Sequence, residues 1–137
     1  MKLLLALCLM AFCVVVHAGG ITWSLRRLRG AALPGLRFWP MTWLCVKLAT
    51  AMILFHLVEI SGWALLYHAA NALPEWESSF YFSAVTYTTT GYGDVVLPAA
   101  WRLVGGVEAL TGIIMCGWST GFFFAVLSRI LTGEPKG

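Results

Sequence analysis

The chain has 137 residues, of which 60% are apolar or aromatic and 11% charged, whereas a water-soluble domain carries about 25% charged residues. That balance excludes a small soluble globule, and the net charge of +3 points to no nucleic-acid partner, because the basic residues punctuate long apolar runs instead of clustering on one face. At about 20 residues per crossing the length suits three membrane spans, with no room for a large soluble sensor.

The first apolar run covers residues 3–23 and is read as a membrane helix, domain 1–23. One lysine, an apolar core and Val16-His17-Ala18 ahead of Gly19 also fit a cleaved signal peptide. Cleavage would put the next basic segment on the translocated side, against the positive-inside rule, so the helix is expected to be retained. That segment, 24–40, holds Arg26, Arg27, Arg29 and Arg37 and no acid, which makes it a cytoplasmic linker and places the N-terminus outside. The C-terminal residues, with Arg129 and Lys136, are then expected on the cytoplasmic side. Trp23, Trp39, Tyr67 and Trp101 stand near span ends, where amphipathic rings prefer to lie, and Lys47 is close enough to the inner face to snorkel.

The second run, outer helix 41–68, contains His56 and Glu59, one helical turn apart on one face. A carboxylate at this depth is costly, so neither Glu59 nor Glu108 of the third run is expected to face lipid. Two readings stay open for His56, Glu59 and Glu108: hydrogen bonds that hold helices together, and proton-sensitive gating. His17 is a candidate to join them across a helix interface. His17, His56, Glu59, His68 and Glu108 are also metal-ligand types, but no second paired motif makes them converge, so neither a metal enzyme nor any catalytic residue is expected. Cys8, Cys13, Cys45 and Cys116 all lie in apolar runs without C-x-x-C spacing and are read as core thiols.

Between the second and third runs, Pro74 and Glu75-Trp76-Glu77 form a helix start, with proline at its opening and acids near the positive end of the dipole. A helix of roughly three turns, about 18 Å long, is too short to span. It must re-enter the membrane, and the non-helical residues after it survive there only if they are buried in protein or line water.

Those residues are Thr88-Thr89-Thr90-Gly91-Tyr92-Gly93-Asp94, and they resemble the T-T-V-G-Y-G-D signature of potassium channels. The order of span, external turn, short helix, signature and glycine-containing third run over 41–130 is similar to that of small bacterial pore-loop potassium channels with an extra N-terminal helix. The resemblance implies an all-α membrane protein, a homotetramer with pore domain 41–137, pore helix 75–88, filter 89–93 and inner helix 99–131, in a bacterial plasma membrane. It implies a channel that binds K⁺ as permeant ion at Thr89, Thr90, Gly91, Tyr92 and Gly93 and uses no cofactor. Stacked backbone carbonyls replace the ion's hydration shell, and glycine at 91 and 93 accepts positive φ without a Cβ clash, which turns successive carbonyls to one side. Thr89 would add its hydroxyl as the innermost ring. Thr88, Asp94, Tyr81 and Phe82 would support the filter, with Tyr92 packed behind it against Tyr81 or Phe82. Four pore helices, each ending in about −0.5 charge, would aim roughly −2 at the axis. Three departures are Thr90 in place of valine, Tyr81-Phe82 in place of two tryptophans, and Val85 where some relatives carry a buried glutamate.

The third run holds Gly105, Gly106, Gly112, Gly117 and Gly121. Gly112 and Gly117 are candidate gating hinges, with close helix packing the alternative. Thr111, Met115 and Thr120 are candidates to line the cavity. No helix carries regularly spaced arginines, so voltage sensing of that kind is not expected. A non-conducting auxiliary membrane subunit is the alternative to a channel; the expected surroundings are lipid, and a separate regulatory subunit is left open.

Overall fold

The computed structural model describes residues 1–29 and 37–132. Residues 30–36 of the basic linker and 133–137, with Lys136, lie outside the described residues. The chain is all-α: α1 is Lys2–Leu28, α2 is Phe38–Ala69, α3 is Trp76–Tyr87, a single 3-10 turn covers Ala99–Trp101, and α4 is Arg102–Thr132. Among the described residues three helices are long and apolar enough to cross a membrane. This is a multi-pass membrane protein.

The helix ends differ from the apolar runs for electrostatic reasons. α1 continues past Trp23 through the start of the basic segment, because Arg26 and Arg27 in its last turn face the negative end of the helix dipole. α2 starts at Phe38, ahead of the apolar run, since Pro40 lies in its first turn, where the missing N–H costs nothing. One turn in, the Thr42 hydroxyl donates back to the Phe38 carbonyl at 2.9 Å.

α1 and α4 run in the same direction, and α2 runs against both. The Lys2 ammonium sits 3.3 Å from the Ala100 carbonyl and over the Trp101 ring at 4.6 Å, so α1 begins where α4 begins. At the other end, Ile21 and Leu28 of α1 pack with Leu48 and Met52 of α2 and Phe122, Val126 and Ile130 of α4. A second apolar cluster lies nearer the start of α4 and joins Ala6 and Cys13 to Ile60, Trp63, Tyr67, Phe82, Tyr87, Val104 and Met115. A polar layer of His17, His56, Glu59 and Ser119 separates the two.

Several expected placements are corrected. Tyr67 is not an interfacial ring; it is fully buried and donates to Glu108. Thr111 and Met115 are buried within the chain, so neither lines a cavity in this conformation, whereas Thr120 is exposed. Of the cysteines, Cys13 is buried and Cys45 half-buried, but Cys8 and Cys116 are exposed; all four are free. Lys47 extends over the Trp43 ring, 5.4 Å from its centroid.

Candidate functional site: the loop after the short helix

α3 begins at Trp76, with Glu75 as N-cap and Glu77 in its first turn. Pro74 thus precedes the cap instead of opening the helix. Two buried hydroxyls anchor α3: Ser79 donates to the Leu73 carbonyl at 2.7 Å, and Ser83, whose one proton goes to Glu108, lies 2.9 Å from the Ile60 carbonyl of α2.

At the C-terminal end of α3 the chain leaves the helix without wasting its last carbonyls. Thr89 N–H donates to the Thr86 carbonyl at 2.9 Å, and both Thr90 N–H (2.8 Å) and Gly91 N–H (3.0 Å) donate to the Val85 carbonyl. The Thr88 hydroxyl donates to the Ala84 carbonyl at 2.7 Å and lies 3.0 Å from the Thr90 hydroxyl. The hydroxyl that threonine adds at position 90 is therefore spent locally, against Thr88.

From there the backbone alternates. φ is +59° at Thr89, +49° at Gly91 and +81° at Gly93, with Thr90 and Tyr92 in between in the ordinary half of the map. Positive φ at every second residue swings successive carbonyls toward one side, where an alternation-free strand would point them to opposite sides. Glycine accepts this at 91 and 93. Thr89 does not: a β-branched residue there carries strain of order 1–3 kcal/mol, and the sequence contains no signal for it. All seven residues from Thr88 to Asp94 are exposed, an uncovered polar segment beside a packed hairpin.

The candidate supporting residues separate. Tyr81 donates its hydroxyl to Asp94 Oδ2 at 2.7 Å, tying the far end of the segment to α3. This bond holds the Asp94 carboxyl below its usual range and pushes the Tyr81 phenol above its own. Phe82 does not stand behind Tyr92. It is buried edge-on against Tyr67, with ring centroids 5.4 Å apart, while Tyr92 is 74% exposed on the single chain.

α4 passes directly behind the end of α3. A Cβ placed on Gly112 would collide with the Tyr87 carbonyl and Cα, whereas one on Gly117 would meet nothing within 4 Å. Gly112 is a point of close contact, and Gly117 is the unhindered glycine of the two.

The ion channel family profile matches residues 42–129. The chain belongs to that family. It is an ion channel protein and not an enzyme. No curated protein and no solved structure matches it.

The matched channel region takes in α2, α3 and most of α4 and leaves α1 outside it, yet α1 reaches the buried polar layer. His17 Nδ1 lies 3.0 Å from Glu59 Oε1, and both side chains are fully buried. Tyr87, the last residue of α3, donates its hydroxyl to Glu59 Oε2. His56 Nδ1 lies 3.1 Å from that hydroxyl, and the Nε2 atoms of His56 and His17 lie 3.1 and 3.0 Å from the Ser119 hydroxyl. The pairing of His56 with Glu59 is thus looser, at 3.7 Å, than the bond from α1. Glu108 forms a separate cluster, accepting from Tyr67 at 2.8 Å and Ser83 at 2.5 Å. The ligand types expected not to converge do so in part: His17, His56 and Glu59 come together, while Glu108 bonds elsewhere and His68 packs edge-on against Trp76.

Proposed function

We propose that this ion channel protein is one subunit of a homotetramer that passes K⁺ down its electrochemical gradient. The carbonyls of Thr89, Thr90, Gly91 and Tyr92, with the Thr89 hydroxyl and Gly93, form the K⁺-binding filter, and Thr88, Tyr81 and Asp94 brace it. The observation that carries the reading is the alternation of positive φ at Thr89, Gly91 and Gly93 in a fully exposed segment at the end of a short helix. Carbonyls turned to one side suit a ring of oxygens around a dehydrated cation. One chain contributes one strand of that ring, which is why several copies are required. Phe82, buried against Tyr67, supports the pore helix from behind and has no direct part in bracing the filter.

In this reading 41–137 is the pore domain and the helix within 1–23 is retained beside it. The basic segment 24–40 and the C-terminus face the cytoplasm of a bacterial plasma membrane, with the N-terminus outside. Gly117, open on all sides in one chain, is the better candidate for a bend during gating, and Gly112 is a packing contact.

Reconstitution into liposomes tests the reading directly. Wild-type protein should give K⁺ flux that exceeds Na⁺ flux, and Gly91→Ala should abolish that preference. Absence of any flux from purified wild-type tetramer would transfer the chain to a non-conducting auxiliary role. An unchanged K⁺ preference in Gly91→Ala would remove the filter assignment.

A further inference from the structure

The layer between the two apolar clusters is a closed ring of five contacts: Glu59 to His17, His17 to Ser119, Ser119 to His56, His56 to Tyr87, and Tyr87 back to Glu59. Each contact requires one proton between its two heavy atoms. Glu59 as carboxylate, two neutral imidazoles, one serine and one tyrosine supply only four protons. The ring therefore closes only with a fifth proton, whose positive charge also brings its net charge to zero inside the membrane.

The geometry points to a second way of supplying that charge: His17 Nδ1, His56 Nδ1, Glu59 and the Tyr87 oxygen form a buried four-ligand site for a divalent transition-metal ion of the zinc class. Neighbouring ligand atoms in a tetrahedral zinc site, with bonds of about 2.0–2.2 Å, stand roughly 3.3–3.6 Å apart. Here the separations are 3.0 Å for His17 Nδ1 to Glu59 Oε1, 3.1 Å for His56 Nδ1 to the Tyr87 oxygen and 3.7 Å for His56 Nδ1 to the other carboxylate oxygen, Glu59 Oε2. The ligand atoms of His17, His56 and Glu59 all lie within 4.8 Å of one another. Two imidazoles and two oxygens suit zinc better than calcium or magnesium, which prefer more ligands and oxygen alone.

Ser119 is the feature that a mere helix-to-helix hydrogen bond would not need. Its hydroxyl oxygen has two lone pairs and lies within reach of both Nε2 atoms. With an ion bound, each ring would carry its proton on Nε2 and donate it to this oxygen, which leaves both Nδ1 lone pairs for the ligand position. Orientation of metal-binding histidines by such an outer acceptor is general. The charges also balance. In the neutral five-proton ring, a divalent ion replaces two protons, the extra one and the Tyr87 phenolic one, and the cluster stays neutral with three protons left on the two Nε2 atoms and Ser119. His56 is the open side, with 17% of its side chain exposed.

Such an ion would join α1, which lies outside the matched channel region, to α2 and to the last residue of α3, two positions before Thr89. The site is separate from the proposed filter, and its test does not involve conduction.

Full-length protein in detergent, stripped with a chelator and then given zinc chloride, should retain about one zinc per chain and release about two protons per zinc bound. The zinc X-ray absorption edge should report two imidazole and two oxygen ligands. His17→Gln should lose retention. Ser119→Ala, which keeps every ligand, should bind about 10–100-fold more weakly, and Tyr87→Phe should release one proton fewer. Folded wild-type protein that retains no zinc would overturn the site, as would zinc retention unaltered in His17→Gln and Ser119→Ala.

Discussion

The carbonyl of Tyr87 occupies the space that a side chain on Gly112 would need, so α4 touches the backbone of the short helix just before the exposed segment begins. Gly112→Ala must push α4 and α3 apart or be refused. Overpacking of this kind costs about 1–3 kcal/mol, and here the neighbour is main chain that cannot rotate away. Gly117→Ala, with open space around it, should leave stability unchanged within about 0.5 kcal/mol. Thermal unfolding of the two variants in detergent compares them directly.

Asp94 and Tyr81 predict a pH window for the far end of the segment. The Asp94 carboxyl titrates below its ordinary value of 3.8 because Tyr81 donates to it. Its contribution is therefore fully present above that value and lost as pH falls through the lowered one. The Tyr81 phenol titrates above its ordinary 10.0 because Asp94 accepts from it. That contribution is present below 10.0 and lost as pH rises through the raised value. Tyr81→Phe should let the Asp94 carboxyl titrate closer to 3.8 and so flatten the acid limb of a stability-against-pH profile, and it should erase the alkaline limb due to this pair.

The Glu108 cluster gives a non-additive pair. Tyr67 and Ser83 both donate to this fully buried carboxylate, and removing either leaves part of it unsatisfied, at about 1–3 kcal/mol. Tyr67→Phe and Ser83→Ala share one acceptor, so the double variant should differ from the sum of the singles by at least about 0.5 kcal/mol. A double-mutant cycle on chemical unfolding measures it.

Gly93 has φ of +81° with nothing near its missing Cβ, so its substitution tests conformation apart from crowding. Gly93→Ala should cost about 1–2 kcal/mol of backbone strain and, under the potassium-filter reading, reduce K⁺ preference in liposome flux. A variant that keeps both stability and preference would show that the backbone there need not be left-handed.

Much of this architecture can be read from local pattern. Three long apolar runs and few charges announce the spans, and Pro74, Glu75 and Glu77 announce a short helix between two of them. Glycine at 91 and 93 signals positive φ. What local pattern cannot carry is the face of a helix that is apolar all round: nothing in the sequence separates the buried Thr111 and Met115 from the exposed Thr120, or marks Tyr67 as a partner of Glu108. Thr89 is hidden for the opposite reason, since a β-branched residue argues against the conformation it adopts. The meeting of His17 with Glu59, 42 positions apart, is legible because ionisable groups in apolar helices need partners, whereas Ser119, which completes the ring, is one small polar residue among several in its helix. Arginines at the end of α1 read as linker because their charge masks the helix they terminate.

The seven uncovered residues from Thr88 to Asp94 also bear on biogenesis. A newly inserted chain carrying them alone would hold bare peptide groups at membrane depth, where no lipid can satisfy them. Under the tetramer reading, docking with sister chains is then tied to the seating of the hairpin itself.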